Sequence, residues 1–331
     1  MIKMQSCTRG LRELCGLLGY SRQAYYQYQK SSANRALKED LVIQQVLHHR
    51  AVQPRLGVRK LLTMMEPFMR GHAVDMGRDQ LFGLLRDNDL LIRNKKRNKP
   101  LTTDSRHWMR KYPDLAKGTI PNRADELWVS DITYLQLSRK AFGYLSLVTD
   151  AYSRKIVGFC LNDNLSAQGP LSALQMALQG RGNTGPLIHH SDRGSQYCSD
   201  SYVRLLRRNR IHISMTQSGN PKDNAIAERV NGILKQELLM EVYPGIRQAR
   251  QSATAAIDIY NRLRPHSSID MMTPEKAHTQ TGAIRRRWKT RNYQQKQEAD
   301  QKKKRSKKRK ARLNMENSLS FPHSDTTNKQ Q

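Results

Sequence analysis

The sequence predicts a mixed α/β core set between a small all-helical region and a basic tail. Three observations lead there. Apolar residues recur at helical spacing up to about residue 92, short β-rich runs begin near residue 125, and basic residues crowd both sides of that second stretch. The chain has 331 residues and a formal net charge of +30. Residues 1–120 carry 23 basic and 10 acidic side chains, residues 121–280 carry 19 and 14, and residues 285–312 carry 15 and 2. A nearly balanced middle therefore separates two basic flanks. Such an excess is a statement about partners, and nucleic acid is the common polyanion. On charge alone a ribosomal or chromatin protein would look the same.

The helical elements come first. Leu11, Leu14, Leu17 and Leu18 form a stripe, Gly19 can end that helix, and Ser21 can cap a second one carrying Arg22, Gln23, Tyr25, Tyr26 and Tyr28. Residues 1–30 thus read as a helix-turn-helix, with Arg22 a candidate DNA contact. Residues 36–92 read as a further helical DNA-binding region. Leu37, Leu41, Val42, Val46 and Leu47 are followed by Val58, Leu61 and Leu62 after Gly57, and by Leu81, Leu84 and Leu85 after Gly77. Residues 93–120 read as a basic linker, in which Lys95, Lys96 and Arg97 are candidate phosphate contacts.

The core, 121–280, follows. LWVSDITYLQL at 127–137 reads as a strand, with further strands at 143–150 and 155–161. Their short connections imply antiparallel hairpins. A helix at 170–179, a strand at 186–190, a helix near 200–209, a strand near 211–215 and an amphipathic helix over about 223–240 complete the order β-β-β-α-β-α-β-α. That is the order of a ribonuclease-H-like fold with a mixed five-stranded sheet. Residues 281–331 lack apolar periodicity and contain KKKRSKKRKAR at 302–312, which reads as a basic disordered tail.

Three acids in the core have the placement that phosphoryl transfer on DNA requires. Asp131 lies within an apolar strand, where a carboxylate is costly unless paired or metal-bound. Asp192 follows the run LIHH and precedes an RGSQY turn, at the end of a strand. Glu228 lies on the last helix, where Asn224, Glu228, Asn231 and Lys235 share a polar stripe beside the apolar face of Ile226, Val230, Ile233, Leu234 and Leu238. Carboxylates converging from separate elements suit divalent ions that hold attacking and leaving oxygens in line. Arg193, Asn231 and Lys235 are candidate DNA contacts beside them. His189 and His190 read as strand packing, Trp128 and Tyr197 as core, and His266 as either structural or DNA-contacting.

WVSDITY at 128–134, HSDRGSQY at 190–197, SGNPKDNAIAERVNGILKQEL at 218–238 and YNRLRPHSSI at 260–269 together resemble the DDE transposases of the bacterial insertion-sequence-three family, in their second reading frame. The resemblance extends over about 36–280. It implies an integrase-type catalytic core with Asp131, Asp192 and Glu228 as catalytic metal ligands, and Mg²⁺ as cofactor with Mn²⁺ as substitute. It implies DNA cleavage and strand transfer at element ends, with terminal inverted repeats and target DNA as partners. A second copy would hold the two ends, and the product of an upstream first frame is a further expected partner. A non-catalytic DNA-binding descendant and another integrase-superfamily nuclease are the alternatives. The four cysteines show no zinc spacing, and no apolar run suits a signal peptide or membrane span, so a bacterial cytoplasmic location with association to the nucleoid is expected.

Overall fold

A computed structural model of the chain describes residues 10–93, 107–138, 141–217 and 224–287. Lys95, Lys96, Arg97, residues 218–223 and the tail beyond Arg287 lie outside the described residues.

Helix α1, Leu11–Leu17, ends before Gly19, whose φ of 72° supplies the left-handed turn that only glycine adopts at no cost. Helix α2 starts at Arg22, where the Ser21 hydroxyl accepts from Ala24 N–H at 3.0 Å. It then runs unbroken to Val52, across the 30–36 gap that the sequence pattern suggests. Its first half has almost no buried face. Leu37 and Leu47 are exposed, whereas Val42 and Val46 meet α3, Val58–Gly71, and α4, Arg78–Asp87. Leu61, Met65, Met69, Leu81 and Leu85 complete that separate apolar cluster.

The core holds one sheet in the order β3-β2-β1-β4-β5. Strands β1, Leu127–Gln136, β2, Phe142–Asp150, and β3, Ile156–Asn162, form an antiparallel meander. Strands β4, Ile188–Ser191, and β5, His212–Met215, add in parallel on the other side of β1. On one face pack α5, Gln168–Gln179, and α7, Asp200–Arg208, through Ala173, Leu174, Ala177, Tyr202 and Leu206 against Trp128 and Val148. Gly158 of β3 permits this, since a Cβ there would sit 2.0 Å from the Ala173 carbonyl oxygen. The other face carries α8, Ala225–Ile233, and α9, Ile246–Arg262, with Val230, Ile233, Ala253 and Ile257 over Leu135, Leu145 and Leu161. The expected strands and helices up to α7 are present. The amphipathic helix is shorter than 223–240: after Ile233 it widens into a π turn, Leu234–Leu238, closed by Leu239 N–H to Leu234 C=O at 2.8 Å. A short helix α6, Ser195–Cys198, and α10, Pro274–His278, complete the elements used below. Among the described residues no helix is long and apolar enough to cross a membrane.

Candidate active site at the end of the β1–β4 ladder

In the parallel β1–β4 ladder, Leu127 sits beside Ile188, Trp128 beside His189 and Val129 beside His190. The offset is constant. Carried two residues further, it brings Asp192, just past the end of β4, alongside Asp131 in the middle of β1. Asp131 shares its side of β1 with Val129 and Leu135, which face α8 and α9.

Each aspartate is held. Asn231 Nδ2 donates to Asp131 Oδ2 at 2.7 Å, and the Ile132 N–H donates to Oδ1 at 2.9 Å. Burial pushes the Asp131 carboxyl up to about 7. The charge of Asp192 adds to that and Glu228 adds a little more, while the Asn231 and Ile132 hydrogen bonds oppose. Burial also raises Asp192, against the Gly194 N–H, which donates to Oδ1 at 3.0 Å, and against His190. Gly194 lets the RGSQY turn close on its own carboxylate, because a Cβ there would lie 3.1 Å from Asp192 Oδ1.

The polar stripe of α8 faces this ladder. Asn224 Nδ2 donates to the Ser130 carbonyl at 2.9 Å, so the helix is pinned to β1 at the strand position before the carboxylate. Burial lowers the Lys235 ammonium, and the Asp131 charge acts in the other direction. Asn231, expected as a DNA contact, is only 7% exposed, and its amide nitrogen donates to Asp131. Arg193 donates from Nη2 to Gln217 Oε1 at 3.0 Å. Arg22 is exposed in the first turn of α2.

Glu228 is exposed at the border of the stripe. Among the described residues no three His, Cys, Asp or Glu side chains converge closely enough to hold one ion. Asp131 and Asp192 come together, and Glu228 stands near without closing a three-carboxylate cluster in this conformation. The aspartate pair fits a hard divalent cation, which would remove the repulsion between two adjacent carboxylates. Beside them the Tyr197 hydroxyl is buried and has no hydrogen-bond partner among the described residues, a polar atom suited to an ordered water near such an ion.

The wall behind the pair is structural. His189 Nε2 meets Ser130 Oγ at 2.8 Å and the Tyr202 hydroxyl at 2.9 Å, and burial pushes this ring down to about 3, so it stays neutral. Trp128 and Tyr197 are core, as their sequence setting implies. His266 is 6% exposed and packs edge-on against Tyr260, at 5.4 Å between ring centroids.

One charged cluster has no counterpart in the sequence reading. Arg264 is 2% exposed and grips Glu237 with two hydrogen bonds of 2.7 and 2.8 Å, while Lys60 of α3 donates to the same carboxylate at 3.0 Å. Burial works against the Glu237 charge, but Arg264 and then Lys60 outweigh it and hold the carboxyl below its usual range. The partners lie 177 and 27 residues away in sequence, so only a covariation signal could link them. Gln53 Nε2 adds a hydrogen bond to the Leu263 carbonyl at 3.4 Å, again joining the helical region to the core.

The integrase core domain family matches residues 121–221, and a second integrase core domain model matches 209–274. The chain is 31% identical over 266 residues to the insertion element IS600 uncharacterized 31 kDa protein of Shigella sonnei, covering 79% of this chain and 96% of that one. It is 36% identical over 153 residues to transposase InsF for insertion sequence IS3A of Escherichia coli K12, covering 46% of this chain and 53% of that one. The chain therefore spans about half the length of that transposase. The HTLV-2 integrase catalytic core domain solved with magnesium is 18% identical with a TM-score of 0.39, over 48% of this chain and 99% of that chain.

Proposed function

The chain belongs to the insertion-sequence-three DDE transposases of the integrase superfamily, and from that premise we propose that Asp131, Asp192 and Glu228 are its DNA-cutting and DNA-joining centre. The observation that carries this reading is the pairing of Asp131 with Asp192 across the parallel β1–β4 register, with both carboxyls raised by burial.

Asp131 and Asp192 would hold a divalent cation, with Glu228 joining them; oxygen-only ligands favour Mg²⁺, with Mn²⁺ as its substitute. When bound, such ions lower the pKa of a water or hydroxyl nucleophile and offset the charge that builds on the phosphate. The chain's own groups prepare that site. Asn231 fixes Asp131 Oδ2, the Gly194 N–H fixes Asp192 Oδ1, and Lys235 brings a positive charge to the same side of β1. Water breaks a phosphodiester at the element's end and leaves a free 3′-hydroxyl. That hydroxyl attacks a second phosphodiester, whose own 3′-oxygen leaves. No bond to the protein forms in either step. Joining one end to the other gives a circular element that integrates later, and two ends require a second copy of the chain. Terminal repeats and target DNA are the substrates, the upstream-frame product a further partner, and the place of action is wherever the host DNA lies.

The test uses end-labelled oligonucleotides carrying the terminal repeats, with Mg²⁺ or with EDTA. Wild type should nick and transfer strands only with the metal. Asp131→Asn, Asp192→Asn and Glu228→Gln should each fall to background while keeping DNA affinity. Strand transfer that persists in these variants would overturn the assignment.

A further inference from the structure

A groove opens between the start of α3 and the outer side of α8, next to the proposed centre but on a different wall of the helix. Arg55, Gly57 and Lys60 line one side, and Glu228, Arg229 and Gly232 line the other. Its lining is cationic on balance, with Arg55, Lys60 and Arg229 against Glu228 and Glu237. Glu237 is already gripped by Arg264 and Lys60, so neither Arg55 nor Arg229 is needed to neutralise it. Arg229 is exposed and has no hydrogen bond or ion pair among the described residues. Arg55 donates from Nη2 to the Arg93 carbonyl, but its Nε is buried without a partner among the described residues, a donor that a bound acceptor would satisfy.

The backbone adds to this. Gly57 precedes α3 with no side chain to cap its first turn, so the positive end of a 14-residue helix faces the same groove. Gly57 and Gly232 bring no side chain to the lining, so at these two points a phosphate or sugar can approach the backbone. Burial and then Arg264 disfavour the Lys60 charge, Glu237 favours it, and Arg229 disfavours it a little further. An anion in the groove would relieve that repulsion.

We propose that this groove binds the sugar-phosphate backbone of DNA, with Arg55, Lys60 and Arg229 as phosphate contacts and the Glu237–Arg264 pair as the strut that holds α3 at the right distance. Because Glu228 stands on its rim, a strand lying in the groove passes directly beside the cutting centre. The inference rests on the reading of the chain as a DNA transposase, but its test does not need catalysis.

Full-length protein is titrated with a short labelled duplex of arbitrary sequence over a range of salt concentrations. Removing one cation that neutralises a phosphate makes the slope of log affinity against log salt shallower by about 0.9. Arg229→Gln should therefore flatten the slope by about 0.9 and the double variant Arg55→Gln with Arg229→Gln by about 1.8, while Arg229→Lys keeps the wild-type slope. Arg70→Gln, an exposed cation away from the groove, serves as the control and should change the slope little. Thermal unfolding of each variant establishes that the fold is kept; Arg229→Gln alone, at an exposed position, decides the matter if the double variant does not fold. A wild-type slope in Arg229→Gln, or an equal flattening in Arg70→Gln, overturns the proposal. Weaker DNA binding in the groove variants alongside a wild type that cuts nothing would keep the groove and reject the catalytic reading.

Discussion

At the end of β4 two carboxylates stand side by side and burial raises both, with amide donors, His190 and a half-buried lysine to answer them. At the α3–α8 junction the Glu237 carboxylate is surrounded by Arg264, Lys60 and, further out, Arg229. Both places bury charge, and each leaves the opposite sign in excess. The difference is instructive because one continuous stretch, α8 and its π turn, serves both. Asn231 reaches the acidic ladder, and six residues later Glu237 reaches the basic junction. Buried charge in excess costs stability, so its retention points to a partner of opposite sign: a cation at the ladder and an anion at the junction.

The widest separation between the two regions should appear in stability. Glu237→Gln leaves Arg264 buried without a counter-charge and should cost about 3–5 kcal/mol. Glu228→Gln, on an exposed position, should change unfolding by only about a few tenths of a kcal/mol. Denaturant unfolding of the two variants measures this, and equal losses would erase the distinction between strut and site. The next effect is on activity. Asn231→Ala removes the hydrogen bond that orients Asp131 and should lower strand transfer about 10–100-fold. Asn231→Asp would add a third negative charge beside Asp131 and should tighten Mn²⁺ binding measured by calorimetry; identical affinity would mean that Asn231 does not face the ion.

The most gradual effect, at most about 1.4 kcal/mol for each pH unit, concerns pH. The folded Asp131 carboxyl titrates at about 7 and an unfolded aspartate near about 4. Between those values the folded protein holds an extra proton, so the stability this group contributes is complete below about pH 4 and is lost as pH rises towards 7. Without metal, the unfolding free energy of wild type relative to Asp131→Asn should fall by at most about 1.4 kcal/mol per pH unit across that window. Added Mg²⁺ should flatten the difference by replacing the proton. A flat difference in EDTA would show that Asp131 ionises as an ordinary exposed aspartate does.

Much of this is legible in the residues. The β-β-β-α-β-α-β order, the Gly19 turn, the Ser21 cap and the core roles of Trp128 and Tyr197 follow from local pattern, because caps, turns and strand alternation are set by near neighbours. Helix α9 escapes that pattern, although Ala249, Ala253, Ala256 and Ile257 are its buried face, because small residues give a weak apolar signal. The continuity of α2 escapes it too: the polar stretch between Gln29 and Leu37 reads as a break, yet nothing in it terminates a helix.

By itself, then, the sequence determined which elements carry the three acids. Asp131 had to be in a strand, Asp192 at a strand's end and Glu228 on a polar helix stripe, because side-chain periodicity is a local property. The tertiary structure alone decided who meets whom. The parallel β1–β4 register set Asp192 beside Asp131, the packing of α8 buried Asn231 against Asp131 while leaving Glu228 exposed, and Glu237 of the π turn met Lys60 and Arg264. The physical reason is that ion pairs and ladder registers act through space between residues far apart in the chain, and one sequence carries no record of those distances until its apolar faces have packed.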